Sequence, residues 1–130
     1  MQISLVLAAH DPMALSQFYA ALFGAVVRDG KADHHRILEL KDGLKLEIYR
    51  PSQHRPFPAA GRALSVCLKL PAHNTPLIEL EQHISRAHHL GATVLEPARL
   101  EPFGAECWMN DPEGNAVLLL VQIGRTEQSA

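Results

Sequence analysis

A chain of 130 residues with 47% hydrophobic content is the size of one domain and can bury a real core, which excludes disorder over most of its length. Its formal net charge of −2, with signs interspersed, provides neither a basic stripe for nucleic acid nor an acidic tail. Cys67 and Cys107 each fall inside a strand pattern without C-x-x-C spacing, so two free thiols in a reducing, cytoplasmic setting are expected.

Residues 1–7 are apolar, but they lack a basic flank and reach Asp11 too soon for a signal peptide. No run approaches the length that spans a bilayer, and no membrane partner is expected. Residues 2–9 read as a strand ending at His10-Asp11-Pro12, where Asp caps a helix and Pro suits its first turn. The helix carries Leu15, Phe18 and Leu22 on one face and stops at Gly24. Strands follow over 25–29, 34–40 and 44–49, separated by the turns Asp29-Gly30-Lys31-Ala32 and Lys41-Asp42-Gly43. The order is β-α-β-β-β.

From Arg50 to Gly61 the composition shifts to Pro51, Pro56 and Pro58 with polar residues, a stretch unable to hold a helix or central strand. It reads as a linker over 51–61 between modules of about 1–50 and 62–123. The order then repeats: a strand over 63–70, a helix capped by Thr75-Pro76 carrying Leu77, Leu80, Ile84 and Ala87, and a strand over 92–96. An echo supports duplication, because Leu22-Phe23-Gly24-Ala25 and Leu90-Gly91-Ala92 both end a helix and begin a strand. Phe103 to Val121 forms two alternating runs joined by Asp111-Pro112-Glu113-Gly114, a hairpin in which Asp-Pro starts the turn and Gly supplies positive φ. Residues 124–130 read as a loose tail.

The terminal Asp111-Pro112-Glu113-Gly114-Asn115 hairpin, following the early Asp11-Pro12-Met13-Ala14-Leu15-Ser16-Gln17-Phe18-Tyr19 helix, resembles the vicinal oxygen chelate superfamily of glyoxalase I, extradiol dioxygenases and bleomycin-resistance proteins. The resemblance covers nearly the whole chain. It implies an α+β fold of two βαβββ modules whose sheets curve into a cup with the helices outside, and a homodimer.

Strand parity assigns the side chains independently, since alternate residues point to opposite faces. The apolar rows Ile3-Leu5-Leu7, Leu44-Leu46-Ile48, Leu64-Val66-Leu68-Leu70 and Val117-Leu119-Val121 belong under the helices. The other rows are Ser4-Val6-Ala8, Lys45-Glu47-Tyr49, Ala63-Ser65-Cys67-Lys69 and Ala116-Leu118-Leu120-Gln122. If Cys107 and Met109 pack with the helices, Glu106 and Trp108 face the same way as these rows. His35 alternates with Ile37 and Glu39 and shares that direction.

Superfamily members that bind metal present two His and two Glu, or close variants, on the first, fourth, fifth and eighth strands. Those places fall here on Ser4, Glu47, Ser65 and Leu118. A catalytic divalent metal needs about three His or carboxylate ligands and an open position. Glu47 alone is of that type, so no metal cofactor is expected. His83, His88 and His89 belong to a solvated helix face, and His10, His54 and His73 to turns.

Three readings remain. In the first, resembling metal-free resistance proteins, the cup holds a small molecule: Trp108 and Tyr49 stack on it, Glu47, Glu106, Lys45 and Lys69 orient it, and Ser4, Ser65, Cys67, Leu118 and His35 line it. In the second, a lyase, isomerase or dioxygenase-like enzyme uses Glu47 as an acid or base whose pKa is raised by desolvation, with or without a divalent metal. In the third, Leu118 and Leu120 fill the cup and the domain is a regulatory or assembly module. Against any role, Glu47 could pair with Lys45, Lys69 or Arg62 in a salt bridge, and Trp108 could be a core or dimer-contact aromatic.

Overall fold

The computed structural model describes residues 1–124, so all but the first residue of the tail expected over 124–130 lies outside the described residues. Its contacts divide the chain into two compact units that meet between Ala59 and Ala60. The fold is α+β, with two mixed sheets and two helices among the described residues, as two βαβββ modules require. No helix among the described residues is long and apolar enough to cross a membrane.

In the first unit, β1 (Ser4–Ala8) leads into α1 (Pro12–Phe23), followed by β2 (Val27–Asp29), β3 (His35–Glu39) and β4 (Lys45–Tyr49). The sheet order is β1-β4-β3-β2, with β1 parallel to β4 and the other pairs antiparallel. Asp11 caps α1 by accepting the Ala14 N–H at 3.1 Å, and Gly24 ends it at φ 69, a left-handed conformation that costs glycine little. The helix buries Leu15, Phe18, Tyr19 and Leu22 against a sheet face carrying Leu38, Leu46 and Ile48. Each such side chain stabilises the fold by about 1.5–3 kcal/mol. Ile3 departs from the expected apolar row: it precedes β1 and is 62% exposed. Between β3 and β4 the chain turns through a short 3₁₀ segment, Lys41–Gly43, in which Asp42 takes φ 61.

The second unit holds β5 (Val66–His73), α2 (Pro76–His89), β6 (Thr93–Val94), β7 (Arg99–Glu101), β8 (Gly104–Asn110) and β9 (Ala116–Ile123). The order is β5-β9-β8-β6, with β7 also pairing β8, and β5 is parallel to β9 as β1 is to β4. α2 buries Leu80 and Ala87 over Cys107, Met109, Val117, Leu119 and Val121. The β8–β9 turn is held by the buried Asp111 carboxylate. It accepts from the Glu113 N–H at 2.8 Å, the Asn115 N–H at 3.0 Å and Asn115 Nδ2 at 2.9 Å, while Gly114 takes φ 88.

Four local expectations shift here. β5 starts and ends three residues later than the periodicity predicts, leaving Leu64 84% exposed instead of under the helix. It runs through Pro71 because β5 is an edge strand and its register slips between Leu70 and His73, so no ladder donor is missed. Thr75 sits at the helix start, yet its hydroxyl meets His73 Nδ1 at 3.1 Å and makes no cap bond. The strand expected over 92–96 shrinks to Thr93–Val94, and past Pro97 the chain forms β7, which has no apolar alternation to announce it.

Candidate functional site

The first unit's sheet concentrates chemistry around Glu47. In the β1/β4 register Glu47 lies opposite Val6, and in the β3/β4 register opposite Ile37. Ser4 and His35 are thus its diagonal neighbours on the two flanking strands, all on one face by the two-residue alternation. Both close on the carboxylate: Ser4 Oγ donates to Oε2 at 2.7 Å, and His35 Nε2 lies 3.0 Å from Oε1. The backbone N–H of Lys31 donates to His35 Nδ1 at 3.0 Å, which leaves Nε2 as the protonated ring nitrogen, donating to Glu47. The hydrogen-bond partners of Glu47 are a hydroxyl and an imidazole.

These bonds set the charge state. The Ser4 hydroxyl is the largest influence, followed by opposing desolvation and then the bond and field of His35, and together they hold the Glu47 carboxyl below its ordinary value. The sequence-based expectation of a raised Glu47 pKa is therefore overturned. The carboxylate is only half-buried, and its two built-in donors favour the ionised form. Around it lies a cavity of about 300 Å³ lined by Val6, Lys31, Ala32, His34, Glu47 and Tyr49, with His35 completing the wall.

The remaining candidates lie in the second unit. Trp108 and Leu118 are cross-strand partners, as are Glu106 and Leu120, while Cys67 pairs with Leu118. The Arg62 guanidinium sits 5.4 Å from the Trp108 ring centroid and bonds Glu96 at 2.9 Å, so a cation already covers that aromatic face. Glu106 is committed to Arg99, whose Nε and Nη2 reach Oε1 at 2.9 and 2.5 Å. Burial pushes the Cys67 thiol above its usual range, which makes it a poor nucleophile. Ser65 Oγ is buried with no hydrogen-bond partner among the described residues.

Sequence reasoning missed Arg99, because its partner is set by pairing of β7 with β8. It also missed Lys31, which acts through a backbone N–H that no side-chain pattern can signal.

At the four places where the superfamily holds a metal, Ser4 and Glu47 bond each other, Ser65 offers one hydroxyl and Leu118 has no donor atom. Among the described residues no group of three or more His, Cys, Asp or Glu could hold a metal ion. Of these four residues only Glu47 is of the His or carboxylate type that a catalytic divalent cation requires.

A parallel β1/β4 pair backed by one helix, repeated as β5/β9 backed by another, defines the class: a protein of two βαβββ modules. The chain belongs to the glyoxalase-like domain family, whose model matches residues 4–120. Among solved structures it is similar to the hypothetical protein SA1046 from S. aureus, with 14% identity, 93% of each chain covered and a TM-score of 0.72. It is also similar to a glyoxalase/bleomycin resistance protein/dioxygenase family enzyme from Burkholderia phytofirmans, with 15% identity, 92% of this chain and 97% of that one covered, and a TM-score of 0.68. Lactoylglutathione lyase from Agrobacterium tumefaciens matches with 20% identity, 93% of this chain and 92% of that one covered, and a TM-score of 0.57. At these identities the likeness concerns the fold. Among curated proteins none matches the chain.

Proposed function

We propose that this glyoxalase/bleomycin-resistance-like protein binds a small organic molecule directly on Glu47, without a metal between them. The observation that carries the reading is the ionised carboxylate at the cavity wall. Each of its oxygens accepts one protein bond, and a carboxylate has about four acceptor sites, so capacity remains for a ligand. Val6, Ala32 and Tyr49 supply apolar and aromatic surface beside it. The ligand class is a compact molecule with an apolar or planar body and a hydrogen-bond-donating or cationic head. A cavity of about 300 Å³ suits one ring system with a short substituent.

The same geometry weakens the enzymatic reading. A general base works best with a pKa near the working pH, and Glu47 is displaced the other way. Both nitrogens of His35 are already engaged, so the imidazole is not free to take a substrate proton. On the resemblance alone, the proposal also includes a cytoplasmic homodimer, which sedimentation equilibrium checks.

The test is a thermal-shift and calorimetric screen of metal-free protein with matched aryl amines and aryl carboxylates. Amines are expected to raise the melting temperature, carboxylates not, and Glu47→Gln to abolish the difference. Binding that requires an added divalent metal, or equal binding of carboxylates, overturns the proposal.

A further inference from the structure

We infer that Gly30 and His35 are positioning residues of this site: the turn before β3 locks the imidazole in one tautomer and orientation, and the imidazole in turn aims Glu47 into the cavity. The inference deepens the Glu47 reading and rests on it only for the identity of the cavity's occupant.

The lock is built from both backbone and space. The Gly30 N–H donates to the His35 carbonyl at 2.9 Å, and the His35 N–H donates to the Ala32 carbonyl at 3.0 Å, so the turn closes over the residue it serves. The next N–H, that of Lys31, points at Nδ1. The ring fits there because residue 30 has no side chain: a Cβ at Gly30 would overlap the imidazole and come within 2.8 Å of the His35 Cβ. Gly30 is therefore a glycine for reasons of volume, since its backbone does not occupy the left-handed region. The side chain of His35 is 14% exposed and that of Glu47 26%, so the carboxylate, and less so its support, faces the open side.

A ring free to rotate or change tautomer could turn a lone pair toward Oε1 and release the carboxylate. With Nδ1 capped by a fixed backbone donor, Nε2–H is the sole hydrogen the ring can offer. Ser4 fixes the other oxygen from β1. The carboxylate is thereby held from both flanking strands before any ligand arrives, which is the pre-organisation a selective site requires.

The experiment is NMR of the ligand-free protein, with nitrogen-15 imidazole spectra at neutral pH and a carbon-13 carboxyl titration into acid. The wild type is expected to show His35 with protonated Nε2 and bare Nδ1. Gly30→Ala is expected to lose that single-tautomer signature. His35→Ala is expected to move the Glu47 carboxyl titration upward, and His35→Gln, which restores an N–H at the Nε2 position, to bring it part of the way back.

The inference is overturned if the wild-type ring carries its proton on Nδ1, or if Glu47 titrates identically in His35→Ala. Should Gly30→Ala fail to fold, the wild-type tautomer and the two His35 variants still decide the matter. Because these readouts involve no ligand, their failure is distinct from failure of the amine screen.

Discussion

The two units use the same parallel strand pair for opposite ends. In the first, Ser4 on β1 donates to Glu47 on β4. In the second, the corresponding places are Ser65, just before β5, and Leu118 on β9, so the serine hydroxyl is buried without a partner. With leucine in place of the carboxylate and Glu106 in place of the imidazole, the polar site has no equivalent there. What remains polar there is neutralised internally, Glu106 by Arg99 and Glu96 by Arg62. A duplicated framework thus places side chains reproducibly, while the chemistry depends on single residues at those places.

The contrast extends to the turns that set each register. The β8–β9 turn depends on Asp111, 3% exposed and bonded to three donors. The β3–β4 turn relies on Asp42 and Gly43 at positive φ with no buried group. Asp111→Ala is expected to cost about 2–4 kcal/mol in urea unfolding, because it strands three donors around a buried turn. Asp42→Gly should instead stabilise slightly or leave the midpoint unchanged, since glycine accepts φ 61 without strain.

Installing the missing carboxylate tests the contrast next. Leu118→Glu is expected to lower stability by about 1–3 kcal/mol, measured by denaturant melts, because the second unit offers Ser65 but no counterpart of His35. If this variant were as stable as the wild type and bound amines, the imidazole would be dispensable.

Acid dependence gives a smaller effect with a definite sign. Glu47 has a folded pKa below its unfolded value, so its stabilisation is fully present above the unfolded carboxyl range, near about pH 4.3. It is lost as pH falls through the lower folded value. Glu47→Gln and Ser4→Ala should therefore be less stable than wild type at neutral pH and converge on it as pH falls through the folded value, as parallel melts over a descending pH series would show. A similarly small effect is expected of Ser65→Ala, within about 0.5 kcal/mol of wild type or slightly more stable, against about 1 kcal/mol lost for Ser4→Ala. Equal costs for the two serines would erase the distinction between the units.

The caps, the turn glycines and the alternation of apolar residues are local properties, and they were legible as such. Asp11, Gly24, the Asp111 turn and the rows under each helix follow from backbone conformation and two-residue or 3.6-residue periods. β7 was not legible, because Arg99–Glu101 is a strand only through pairing with β8. The charge state of Glu47 was misjudged for a related reason: desolvation follows from an apolar neighbourhood, but the donors that outweigh it come from β1 and β3.

The sequence by itself carried the family resemblance in its motifs, and its short-range sterics and hydrophobic period determined the order of the elements other than β7 and the face on which Ser4, Glu47 and Tyr49 lie. Only the tertiary structure decided what Glu47 is. Its ionisation, its orientation and the tautomer of His35 depend on distances of about 3 Å between atoms as far apart in the chain as residues 4 and 47, and strand register together with the turn at Gly30 and Lys31 sets those distances.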